Sequence, residues 1–130
     1  MDLNALKYAK SHEWSALDST GGLVTVGITS YAVEQLTDVT HLQLPKVGAK
    51  TAAGKPFGEI ESVKAVFDLY APVDGEVVEV NKGLSMDPSP INEDCYGKGW
   101  MVKIKLADGA TLDHLMDKPT YDAQLASEGH

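Results

Sequence analysis

The chain of 130 residues is 43% hydrophobic and 23% charged, ordinary globular values that exclude a disordered chain or a fibrous repeat. Eleven Lys+Arg against nineteen Asp+Glu leave a net charge of −8, and with no basic stripe nucleic acid is a poor partner. Apolar runs of only a few residues cross no membrane, and a single Cys95 closes no intramolecular disulfide. Residues 1–7 have neither the apolar core of a signal peptide nor the Arg-rich character of a transit peptide, so the cytoplasm is the expected location. One domain over residues 1–130 is expected, long enough to bury a core without covalent staples.

Twelve glycines and six prolines cut the sequence into short pieces, the punctuation of a β-rich fold. Leu23-Val24-Thr25-Val26-Gly27-Ile28 is β-branched and almost wholly apolar, which predicts a strand buried on both faces. Residues 29–36 follow as a short helix, opened by the hydroxyls of Thr29 and Ser30. His41-Leu42-Gln43-Leu44 predicts another strand, stopped by Pro45. Residues 57–62 and 66–72 alternate as two arms of a hairpin, with Val63-Lys64-Ala65 at its tip and a second turn over Ala71-Pro72-Val73-Asp74-Gly75. Strands follow over residues 75–80 and 100–106, the latter with Val102, Ile104 and Leu106 on one face and Lys103 and Lys105 on the other. Leu112, Leu115 and Met116 fall at helical spacing, as do Tyr121 and Leu125 after Pro119, so one or two helices should close the chain. The final Gly129-His130 is expected to fray.

Most chemical constellations fail. His12-Glu13 begins like a zinc-protease helix, but the fourth residue after His12 is Ala16, so the second ligand is missing. No Cys-x-x-Cys pair and no phosphate-cradling glycine loop exist. Asn92-Glu93-Asp94 reads as solvated acidic surface, since it does not match a calcium-loop pattern. No nucleophile–base pair can be named, and the chain does not read as an enzyme. Trp14 and Trp100 read as core or cleft-wall packing residues, Cys95 as an inert small residue rather than a redox partner, and Gly27, Gly48 and Gly75 as backbone-geometry positions.

The words around the hairpin lysine are more informative. Residues 58–65, followed by Asp68, Tyr70-Ala71-Pro72 and residues 75–81, resemble the lipoyl-attachment region of the glycine cleavage H-protein family. The resemblance extends through Lys7-Tyr8, Ser11-His12-Glu13-Trp14, residues 25–29, Tyr31-Ala32, Glu34-Gln35-Leu36, Leu44-Pro45 and Val47-Gly48. It closes on Asn92-Glu93-Asp94, Tyr96-Gly97 and Gly99-Trp100. A generic lipoyl or biotinyl domain has the hairpin lysine but neither the N-terminal block nor the Trp100 segment. Four positions depart: Cys95 stands where proline is common, Phe67 where a small polar residue is common, and His41 and Gln43 replace aromatic and acidic choices.

The resemblance implies a mainly β, hybrid barrel-sandwich fold of the lipoyl/biotinyl type, with a short internal helix and a C-terminal helix. It implies covalent lipoate on Lys64, at the tip of the hairpin over about residues 57–72, which takes the formal charge from −8 to −9. The implied role is an aminomethyl carrier. Its partners would be a pyridoxal-phosphate glycine decarboxylase, a tetrahydrofolate-dependent aminomethyltransferase, dihydrolipoyl dehydrogenase, and the lipoate ligase or lipoyltransferase that loads the lysine. By the same resemblance Ser11, Glu13 and Asp68 hold the loaded end of the arm. A monomer with transient partner contacts is expected, since a carrier must leave each active centre. Two alternatives use the same sequence: a lipoate relay to 2-oxoacid dehydrogenases, and an unmodified protein-binding β-domain.

Overall fold

The structure is a computed structural model that describes residues 3–18 and 20–128; the expected fraying of Gly129-His130 lies outside the described residues. Nine strands and four α-helices are found among them. Six strands make one antiparallel sheet: β1 (Lys7–Tyr8), β2 (Glu13–Leu17), β3 (Leu23–Ile28), β9 (Val102–Leu106), β8 (Gly75–Val80) and β5 (Lys50–Thr51), in that order. A second, three-stranded sheet runs β4 (Val39–Gln43), β6 (Pro56–Ser62), β7 (Val66–Tyr70). Both sheets contribute to one core. Val24, Val26 and Ile28 of β3, Val77 of β8, and Val102 and Ile104 of β9 meet Leu42, Ile60 and Leu69 from the smaller sheet. This mainly β fold is the one expected from the strand periods.

A smaller apolar cluster forms on the other face of β2 and β3, where Leu6, Tyr8 and Trp14 pack with Tyr121. Trp14 is enclosed there, its indole N–H donating to the Cys95 carbonyl at 3.0 Å. A Cβ on Gly27 would lie 2.6 Å from the Trp14 ring, so glycine here is a packing requirement rather than a turn residue. Gly48, with φ +97, does serve the left-handed backbone that glycine tolerates best. The strand buried on both faces is thus realised where β3 ends, at Gly27 and Ile28.

Helix α1 (Ser30–Leu36) begins as expected, with the Thr29 hydroxyl accepting from Ala32 N–H. Helix α4 (Lys118–Glu128) closes the described chain and buries Tyr121, stacked on Tyr8 with ring centroids 4.6 Å apart. Residues 112–116 correct one expectation: they are not helical. The Met116 backbone exchanges two 2.8 Å hydrogen bonds with Tyr8, extending the edge of β1, while Leu112 drops into the main core. The segment at Asn92 is also more ordered than an acidic loop. It belongs to α3 (Ser89–Glu93), which follows the single turn α2 (Gly83–Met86). Asn92 donates to the Thr37 carbonyl and accepts from Val39 N–H, tying α3 to the start of β4.

Candidate functional site

Strand alternation builds the hairpin. In the β6–β7 register, Ile60 faces Phe67 and Glu59 faces Asp68. Ile60 and Leu69 point into the core at 2% exposure each, while Glu59, Glu61 and Asp68 stand in water. Ser62 is buried at the end of β6, and its hydroxyl accepts from the backbone N–H of Lys64 at 3.2 Å and of Ala65 at 3.3 Å. A further bond from Ser62 N–H to the Ala65 carbonyl, 2.8 Å, closes the turn. The result fixes the backbone of Lys64 while leaving its side chain exposed. Lys64 and its hairpin tip are legible in the sequence; the part played by Ser62 is not, although a serine two residues before a turn residue is a recognised turn former.

Beside the hairpin lies a cleft of about 380 Å³, walled by the first residues of β2, by α1 and by β6 and β7. Ser11, Glu13 and Asp68, the three residues expected at the loaded end of the arm, all line it. Glu13 is the innermost of them, at 1% exposure. It is the first residue of β2, opposite Ile28, and follows a tight turn in which His12 adopts φ 77. The Ser11 hydroxyl donates to one Glu13 carboxylate oxygen, and Tyr70 N–H donates to the other at 3.0 Å. Burial raises the Glu13 pKa to about 7, against these two hydrogen bonds, which pull it down. Asp68 differs: it is exposed at the rim, on the strand face it shares with Glu59.

The remaining walls are mostly apolar, with Ile28, Leu36, Ile60, Phe67 and Leu69 among the lining residues. His12 also lines the cleft, its Nδ1 2.8 Å from the Tyr121 hydroxyl, which is 2.7 Å from the Thr29 hydroxyl. The Tyr70 amide and this His12–Tyr121–Thr29 chain were not predicted. They join residues more than fifty positions apart, and no local spacing signals them. Cys95 lies away from this cleft, buried, its thiol pushed up to about 11 mainly by desolvation, which fits the expected inert role. Trp100 is half-buried with the Lys103 ammonium 5.1 Å from its ring centroid, a packing arrangement. No group of three or more metal-ligating side chains is found among the described residues.

This donor set suits a long aliphatic arm with a cationic end. Apolar walls match the hydrocarbon, and a buried carboxyl held by two donors matches an ammonium. Comparison with known proteins bears on the family. The family model for the glycine cleavage H-protein matches residues 6–128. The glycine cleavage system H protein of Phenylobacterium zucineum is 49% identical over 122 residues, covering 94% of this chain and 99% of the relative. That of Opitutus terrae is 51% identical over 120 residues, covering 92% and 94%. Among solved structures, a glycine cleavage system H protein from Mycobacterium marinum superposes with a TM-score of 0.84 at 37% identity, covering 98% of each chain.

Proposed function

The chain belongs to the glycine cleavage H-protein family, and on that premise we propose that Lys64 is its lipoyl-attachment residue and that Ser11, Glu13 and Asp68 hold the cargo end of the arm. The family fixes the role: a lipoyl carrier of glycine cleavage, working with glycine decarboxylase, the aminomethyltransferase and dihydrolipoyl dehydrogenase. The observation that carries the residue assignment is the meeting of Ser11, Glu13 and Asp68 on one cleft beside an exposed hairpin lysine.

Lys64 would hold lipoate, which would supply a strained disulfide able to accept the aminomethyl group of glycine and a dithiol open to reoxidation. The protein's own residues do the rest. Ser62 pins the tip, so the attachment point is fixed while the lysine stem moves, and the tether keeps the arm concentrated near the cleft. With its pKa near 7, Glu13 is partly protonated at neutral pH. An ammonium entering beside it favours the carboxylate, so Glu13 gives its proton to water as the ion pair forms. Ser11 and the Tyr70 amide keep both carboxylate oxygens oriented, and the apolar walls keep water from the cargo. Asp68 adds charge at the rim, where solvent screens it.

The chain acts as one carrier domain, a monomer in the cytoplasm, loaded by a lipoate ligase or lipoyltransferase and without turnover chemistry of its own. Ammonia release from purified, aminomethyl-charged carrier, with no transferase present, tests the cleft. Glu13→Gln speeds the release about tenfold, equivalent to about 1.4 kcal/mol, and Asp68→Asn only about twofold, as expected of a screened rim charge. Equal decay in wild type and both variants removes these residues from the site.

A further inference from the structure

Phe67 breaks the pattern of the strand that bears it. Strand β7 places Phe67 and Leu69 on the same face, and Phe67 is paired across the hairpin with Ile60. Ile60 and Leu69 are each 2% exposed, whereas Phe67 is 52% exposed. It lies beyond the edge of the core, on the inward face, and lines the cleft with Ile28 and Leu36. Its pairing with Ile60 leaves half of this large aromatic in water, at the cleft.

What covers it follows from the hairpin itself. Phe67 is three residues from Lys64, on the strand that leads away from the tip, and it is the cleft-lining residue nearest to Lys64 in the chain. We propose that Phe67 is a positioning residue that closes the mouth of the cleft over the lipoyl arm, its ring packing on the arm's hydrocarbon and sulfur. Aromatic faces and edges make favourable contacts with both, and the ring replaces water that would otherwise reach the cargo. The inference rests on the carrier reading of Lys64.

The test uses lipoylated wild type, Phe67→Ser and Phe67→Leu, each charged with the aminomethyl group so that one arm sulfur is a free thiol. Iodoacetamide, which is neutral, alkylates that thiol, and the rate is read from the mass of the peptide containing Lys64. Cys95 is thereby excluded from the readout, and it is buried with a thiol pKa of about 11 in any case. Phe67→Ser should raise the alkylation rate about fivefold, corresponding to about 1 kcal/mol, and Phe67→Leu should fall between serine and wild type. Equal rates in all three proteins, or slower alkylation in the serine variant, overturn the inference while leaving lipoylation of Lys64 standing. A wild-type Lys64 peptide without lipoyl mass overturns the carrier reading and the inference together.

Discussion

The tip of the β6–β7 hairpin lies beside the cleft and the opening of β2 lies in its wall, but the two are built in opposite ways. At the tip, Val63, Lys64 and Val66 are exposed, and Ser62 beneath them organises only backbone. At the opening of β2, Glu13, Trp14 and Ser15 are all buried, with Trp14 turned to one cluster and Glu13 to the cleft. The difference separates two tasks. A group that must visit several partners belongs where substitution costs the fold little. The carboxyl proposed to hold a cation lies where burial makes its charge matter.

If this contrast is right, stability should respond strongly at β2 and weakly at the tip. The largest effect is expected from pH acting on Glu13. Its pKa is raised from 4.5 to about 7 in the folded chain, so the folded state holds the proton more tightly than the unfolded state. The corresponding stability is fully present below about 4.5 and is lost as pH rises through about 7, by about 3 kcal/mol in all. Denaturant unfolding at pH 5 and pH 8 should show the loss in wild type and not in Glu13→Gln. A Gln variant with the same pH slope as wild type would place the titration elsewhere.

Gly27→Ala comes next. Its new methyl meets the Trp14 ring, and overpacking of this kind costs about 2 kcal/mol, measurable as a lowered unfolding midpoint with unchanged slope. Ser62→Ala is smaller still. It removes the acceptor shared by the Lys64 and Ala65 amides and should cost about 1 kcal/mol while loosening the tip, seen as faster amide exchange at those two residues. A loss at Ser62 that exceeded the loss at Gly27 would reverse the contrast.

The hairpin was legible because its two arms keep a period of two, Ile60 against Glu59 and Glu61, and Leu69 against Asp68. Strand β2 was not read from periodicity, because Glu13, Trp14 and Ser15 are buried in succession by elements on both faces, which erases alternation. Helices α2 and α3 are four and five residues long and sit among Pro88, Pro90 and Asn92, too short for a helical period to show. Leu112, Leu115 and Met116 had the spacing of a helix, but tertiary pairing of Met116 with Tyr8 decided otherwise. Of the proposed site, Ser11, Glu13, Lys64 and Asp68 were named from matched words, and the structure places Ser11, Glu13 and Asp68 on one cleft. The Tyr70 amide that holds Glu13 could not, since a backbone donor has no signature in side-chain identity.

The central claim is that Lys64 alone receives lipoate. Intact mass and peptide mapping of wild type and Lys64→Arg, each co-expressed with a lipoate ligase, test it most directly. Arginine keeps the charge but is not the amine that a ligase acylates, and at an exposed tip it should change stability by less than about 0.5 kcal/mol. The account predicts one lipoyl group on the wild-type Lys64 peptide and none anywhere on a folded Lys64→Arg chain. A lipoyl mass on the arginine variant would contradict it.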